Sequence, residues 1–178
     1  PDRWLQISNQ QPDDVWTVLA PGDADNASCR MRVREDRRFV IYPREYADEI
    51  QRLNYSRAFW EKYAGEFDGA TINNVWDNGG LGDAFASYAD VSFNTPSGPR
   101  LQKRGLIFAG VYNDKAYILE CSAAFEVFDQ WRNSFLSVVK SVDLRNEYHT
   151  KPNGWYRNFL NDPVLRIRGV KDVDLYTY

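Results

Sequence analysis

The stretch from Leu101 to Val142 constrains this chain more than any other. It holds two apolar runs split by Asn113-Asp114 and then a long amphipathic segment. Gly105 to Tyr112 and Lys115 to Cys121 read as strands, and Asn113-Asp114 is a two-residue turn of the kind that tolerates positive φ. Along the second strand Ala116, Ile118 and Glu120 alternate with Tyr117, Leu119 and Cys121, which gives it two different faces. Ser122 is read as the N-cap of the helix that follows. In that helix Val127, Trp131, Phe135, Val138 and Val142 recur three or four apart, and Phe128 and Val139 widen the stripe. Such a hairpin and helix bury a core, so these residues are read as scaffold and not as a functional centre.

The rest of the chain supplies further strands and one more helix. Trp4 to Ile7 and Val15 to Leu19 are short strands. From Cys29 onward, Cys29, Met31 and Val33 alternate with Arg30, Arg32 and Arg34, the period of a half-buried strand. Glu35-Asp36 then turns the chain into a partner strand, Phe39 to Tyr42. The arginine row is expected to point to solvent, with Glu35 and Asp36 as partners, or to dock anionic groups, which guanidinium forks bind well. Arg44 to Glu66 is expected to be one helix, with Tyr46, Ile50, Leu53, Trp60 and Ala64 facing the sheet and Arg57 snorkelling at the edge. Ala70 to Trp76 and Ala84 to Phe93 are strands joined by a glycine-rich hairpin turn, Asn78 to Asp83. That turn is no phosphate loop, because no Lys-Ser/Thr pair follows it. Past Val142 the chain turns polar, with two weak strand patterns at Val164 to Arg168 and Val173 to Tyr178. One domain, residues 1–143, with a C-terminal arm, residues 144–178, is the expected organisation.

Several function classes find no support. A net charge of −3 over 178 residues gives no electrostatic argument for nucleic-acid binding. No apolar run reaches membrane-spanning length. The sequence opens at Pro1 and not at Met, so processing or trimming ahead of it is expected. The loop Asp23-Ala24-Asp25-Asn26 lacks the glycine and distal glutamate of a calcium loop and reads as a solvated turn. His149, the single histidine, comes with no nucleophile-elbow pattern, and one His with two distant Cys cannot fill a zinc site. Cys29 and Cys121 both fall in strands. They would form a disulfide if those strands lie side by side, but two buried thiols are the preferred reading. No catalytic, cofactor-binding or metal-ligating residue is therefore assigned.

The run Lys115-Ala116-Tyr117-Ile118-Leu119-Glu120-Cys121, followed by Phe125-Glu126-Val127-Phe128 and by Phe135-Leu136-Ser137-Val138-Val139-Lys140-Ser141-Val142, resembles the PsbP-like superfamily. That group includes extrinsic lumenal subunits of photosystem II, a nuclear-import factor that binds the Ran GTPase, bacterial envelope proteins, and chaperones of type VI secretion effectors. The resemblance spans residues 4–143. It departs from the pattern at Ala123 and Ala124, where the family carries a proline, and at Val142, where it carries a phenylalanine. It implies an α+β fold, an α/β/α sandwich with a central antiparallel β-sheet flanked by helices, to which this chain adds its C-terminal arm. It also implies binding and assembly roles without a shared active site, and no family functional residue maps onto this chain.

The expectation is thus a non-enzymatic binding or assembly protein that docks a protein partner as an accessory subunit. Arg30, Arg32 and Arg34, or the arm aromatics Trp155, Tyr156, Phe159, Tyr176 and Tyr178, would form the contact. The alternative is a small-molecule or metal binder, or a weak hydrolase, with a pocket between sheet and helix. An extracytoplasmic or periplasmic location follows from the resemblance and from the missing Met, with a cytoplasmic one as the alternative.

Overall fold

In the computed structural model the described residues are 3–8, 11–22, 24–35, 47–82, 84–95, 99–112 and 115–144, together with the backbone of 164–166 and 174–177. Seven strands form one antiparallel sheet: β1 (Leu5–Ile7), β2 (Asp14–Leu19), β3 (Ser28–Glu35), β4 (Asp68–Leu81), β5 (Ala84–Asn94), β6 (Gln102–Tyr112) and β7 (Lys115–Ala124). Their spatial order is β1-β2-β3-β7-β6-β5-β4. The first three strands form one meander and the last four another. The chain crosses between them through α1 (Ala47–Asn54) and α2 (Arg57–Ala64). Among the described residues the only link between the meanders within the sheet is the β3–β7 ladder, in register from Ser28↔Ser122 to Glu35↔Lys115.

The two faces are packed differently. On one face lies α3 (Phe128–Lys140), whose Phe128, Phe135, Val138 and Val139 are buried against Met31, Leu106, Phe108 and Leu119. Those four side chains contribute about 6–12 kcal/mol before the entropic cost. The Trp131 indole N–H donates to Asp25 Oδ2 at 2.9 Å, so the loop read as a solvated turn instead anchors the helix. On the other face Tyr55, Trp60, Tyr63 and Ala64 pack on Ala89, Val91, Ile107, Ala109, Val111 and Ile118. Buried Gln51 holds α1 there, its side-chain amide exchanging two hydrogen bonds with the backbone of Val111. The expected α/β/α layering and antiparallel sheet are present.

Four local expectations are corrected. The helix read over 44–66 is two helices broken at Tyr55–Ser56, which lets Tyr55 and Trp60 both reach the sheet while Leu53 is left 75 % exposed. Ser122 caps no helix: β7 runs on through Ala124, and a short 3-10 turn (Phe125–Val127) leads into α3. The ladders to both neighbours continue past Cys121, Gly105↔Ser122 on one side and Ser28↔Ser122 on the other, and hold the chain extended. The glycine-rich turn is mostly strand. Gly79 and Gly80 pair with Ala86 and Phe85, and the absent Gly79 side chain leaves room for the Tyr88 ring. That ring stacks between Trp76 and Phe108 at 4.6 and 4.9 Å. Finally, Cys29 and Cys121 stand directly opposite one another in the β3–β7 register and form a disulfide, with both residues buried in the core under α3. The two-thiol reading is overturned because the strands are neighbours, which periodicity could not show.

The expected partner strand Phe39–Tyr42 and the Asn113-Asp114 turn lie outside the described residues. In the arm, β8 (Val164–Arg166) and β9 (Asp174–Thr177) pair antiparallel, with Leu165 opposite Tyr176. Trp155, Tyr156, Phe159 and Tyr178 lie outside the described residues.

The disulfide closes a loop of 92 residues, a constraint worth about 4–5 kcal/mol in the chain-entropy account. Replacing both cysteines with alanine should lower Tm by roughly 10–15 °C, read by calorimetry. Because both sulfurs are buried, a mild reductant should reproduce that drop only after partial unfolding in denaturant.

Candidate functional site

The helical layer over the second face is incomplete. α2 ends at Ala64 and covers β5, β6 and β7, and its Tyr63 reaches only the Arg32–Arg34 end of β3. The same face of β1, β2 and the Ser28–Arg30 end of β3 therefore has no helix above it among the described residues. The result is a groove of about 480 Å³ along this half of the sheet. Its floor carries Thr17, Ser28, Arg30, Arg32, Glu120, Ser122 and Lys103, and its walls carry Ile7, Leu19, Phe67 and Phe93.

The arginine row lies on this face, and the expectation that it points to solvent is corrected. Arg32 is 7 % exposed and forms the centre of an ion network. Its guanidinium donates to Asp13 (3.0 Å), the Tyr63 hydroxyl (2.9 Å), Glu66 (3.0 Å) and Glu120 (3.3 Å). Arg34 donates to Asp13 at 2.7 Å and to Glu66 at 3.2 Å. Arg30 reaches Glu120 at 2.5 Å, and Glu120 also accepts from the Tyr63 hydroxyl. One guanidinium surrounded by three carboxylates has its donors fixed in direction, which makes the floor of the groove rigid.

Electrostatics follows from this geometry. Burial alone would raise Asp13 and Glu66, but hydrogen bonds from Arg34 and Arg32 outweigh it and hold both below the usual carboxylate range. Burial, reinforced by Glu120, pushes the Tyr63 hydroxyl well above its ordinary value. Burial also lowers Arg30 and Arg32, yet their acidic partners more than restore them. A site in which acids are held ionised and the phenol protonated is a poor source of general acid–base catalysis near neutrality. Among the described residues, no group of three His, Cys, Asp or Glu is placed to hold a metal ion. His149 lies outside the described residues.

Two groups in the groove are not satisfied. The Thr17 hydroxyl is buried without a hydrogen-bond partner, although the residue is only 7 % exposed. The ammonium of half-buried Lys103 has no ion pair or hydrogen bond to a described residue; desolvation and repulsion from Arg30 outweigh the attraction of Glu120 and lower it to about 8. An unpartnered buried polar group costs stability, so its presence in a cavity calls for an explanation. Gly105 lies between Lys103 and Ile107 on this face. A side chain there would press on the Cys121 carbonyl at 3.0 Å and the Ser122 Cβ at 3.1 Å, so glycine keeps the floor low beside Lys103.

Reasoning from sequence found the arginines but missed Thr17, Lys103 and Glu120. Glu120 did leave a signal, as the one acid in an otherwise apolar strand. Lys103 and Thr17 left none, because their significance comes from partners that are missing in space. The structure brings Arg30, Arg32 and Arg34 together, while the arm aromatics are not brought to them by anything described.

No family model and no curated sequence matches the chain. Among solved structures, the chain is similar to cyanobacterial PsbP (CyanoP) from Synechocystis sp. PCC 6803. The two are 13 % identical over 82 % of this chain and 84 % of that one, with a TM-score of 0.48. It is also similar to PA94, a protein of unknown function from Pseudomonas aeruginosa, at 13 % identity over 79 % of this chain and 90 % of that one, with a TM-score of 0.46. Neither likeness carries a functional argument, and the functional reading rests on the groove.

Two outcomes follow from the ion network. Arg32→Met should destabilise the protein by about 2–3 kcal/mol in urea denaturation, because Asp13, Glu66 and Glu120 each lose a charged donor while keeping Arg34 or Arg30. Adding Glu120→Met should recover part of that loss. Acid should act on Asp13 and Glu66 with a defined sign. Their folded-state values are depressed, so their stabilisation is present above the unfolded carboxylate range, about 4, and is lost as pH falls through the lowered values. Asp13→Asn should therefore flatten the stability–pH curve on the acid side of that range.

Proposed function

We propose that the protein is a non-enzymatic binding protein that docks a segment of a protein partner into the groove over β1, β2, β3 and β7. The observation that carries this reading is the uncovered half of the sheet face, where a rigid, internally saturated ion network lies beside unsatisfied Thr17 and Lys103. The groove does not end as a closed small-molecule pocket. Leu5 and Leu19 pair across β1 and β2 on this same face and are 66 % and 37 % exposed, which carries an apolar rim out to the sheet edge. A surface that continues past its cavity suits a chain segment better than a small molecule.

The arm belongs to the same proposal as a second contact, through Trp155, Tyr156, Phe159, Tyr176 and Tyr178, which supply the aromatic chemistry of an interface. The accessory role in a larger complex and the extracytoplasmic location are likewise proposals. The disulfide supports the location, since such bonds persist mainly in oxidising compartments.

Photo-crosslinking tests the reading. A photoreactive residue at position 19, on the groove rim, should give one discrete protein adduct in the native extract. The same residue at position 53, on the exposed side of α1, should give none. Position 176 should capture the same partner as position 19. Equal labelling at 19 and 53, or no adduct at 19, would overturn the proposal.

A further inference from the structure

We infer that the groove reads a carboxylate: the partner segment presents one acidic group beside apolar side chains, and Lys103 is the residue that receives it. This rests on the groove being the docking surface. It is carried by charge complementarity and by which groups are already used. In the floor network the cations are Arg30, Arg32, Arg34 and Lys103, and the carboxylates are Asp13, Glu66 and Glu120. Asp68, also on the groove, is taken by Arg100 at 3.1 Å. Among these described groups one cation is in excess, and geometry says which one. Each guanidinium has a carboxylate within hydrogen-bond distance, and Lys103 has none among the described residues.

The rest of the subsite fits the same ligand. The Thr17 hydroxyl lacks a partner, and Ser28 and Ser122 add hydroxyls to the same floor. Ile7, Leu19, Phe67 and Phe93 line the cavity around them and match apolar neighbours of the acid. A single excess positive charge balances a carboxylate, whereas a phosphate dianion would be left half neutralised.

The site also carries a pH signature. The charged groups that line the groove with Lys103 are Arg30 and Arg32 from β3, Glu120 from β7, and Glu66 and Asp68 from the junction of α2 and β4. Of these, Arg30 and Glu120 act on its ammonium. In the free protein Lys103 loses its proton near 8, with desolvation the main cause and Arg30 the second. An arriving carboxylate favours the ammonium, so binding takes up protons and weakens as pH rises through that value.

The test uses the full chain and three tripeptides, the first two blocked at both ends, with binding followed by backbone amide shifts at Leu19, Ser28 and Phe93. The first peptide has glutamate between leucine and phenylalanine. The second has glutamine in that place, and the third is the glutamine peptide with a free carboxyl end. The glutamate peptide should bind about tenfold more tightly than its glutamine analogue at pH 6.5, the value of one charge-assisted hydrogen bond. The preference should disappear in Lys103→Met, persist in Lys103→Arg, and fade between pH 7 and 9 only in the native chain and not in the arginine variant. Lys103→Met should fold with an undiminished Tm, since it removes an unpartnered cation. If the third peptide equals the first, the groove reads a carboxylate from a side chain or a chain end alike, which supports the inference equally. If glutamate and glutamine peptides bind the native chain alike, the carboxylate inference falls while the groove stands as a binding surface. If no peptide shifts these amides, the inference falls, and the crosslink at position 19 decides the docking reading separately.

Discussion

The β3–β7 ladder is the constraint on which the rest depends. Each meander can satisfy its own backbone, but neither can bury both of its faces, and this ladder is where the two halves become one sheet. Adjacent residues secure it on opposite sides. Cys29 bonds Cys121 on the face under α3, and one residue on, Arg30 meets Glu120 on the groove face. The disulfide acts by limiting the unfolded chain. The ion pair acts by direction, since a guanidinium fork and a carboxylate satisfied from several sides allow little rotation. A seam fixed on both faces gives the groove a floor that does not have to be reorganised when a ligand arrives.

That division explains why the two faces carry different chemistry. Under α3 the sheet is covered by a helix that brings phenylalanines and valines, so the face is dry and the cystine is buried in it. Over β1, β2 and the Ser28–Arg30 end of β3 no described helix arrives, and apolar residues there would lie bare or draw the helices across. Arginines and their carboxylates tolerate a half-covered position because their outer edges remain hydrated. The network therefore stabilises less than apolar packing of the same volume would, and what it retains is an open surface of defined shape.

The sequence was legible where a single segment carries its own period. The alternation in β3 and β7 and the stripe of α3 were read residue by residue, and the α/β/α layering followed. What stayed hidden depended on partners far along the chain. Alternation shows that Arg30, Arg32 and Arg34 share a face, but it cannot say whether water or a second layer meets them. The acids that answer Arg32 come from 19, 34 and 88 residues away. The same limit applies to Cys29 and Cys121, each placed in a strand without any means of knowing that the strands are neighbours. The break at Tyr55–Ser56 escaped for a more local reason: the helical period runs through it, and only packing against β5 and β6 favours two short helices over one.

Lys103 and Thr17 show why a site can be less legible than the fold around it. Packing residues announce themselves by what they are, since an apolar side chain at the right spacing has one energetically sensible place to go. A binding residue is marked by an interaction it does not yet make. Lys103 lies in Gln102-Lys103-Arg104-Gly105, where Arg104 faces the other way, gripping Asp90 at 2.7 Å and lying 4.8 Å over the Phe128 ring. In sequence the two cations are equivalent neighbours; in space one is satisfied and the other is not. A desolvated ammonium without a partner lowers stability in the free protein and repays that cost only when an anion joins it. Stability alone would favour an apolar residue in place of Lys103, so its presence in this groove is evidence about a ligand and not about the fold.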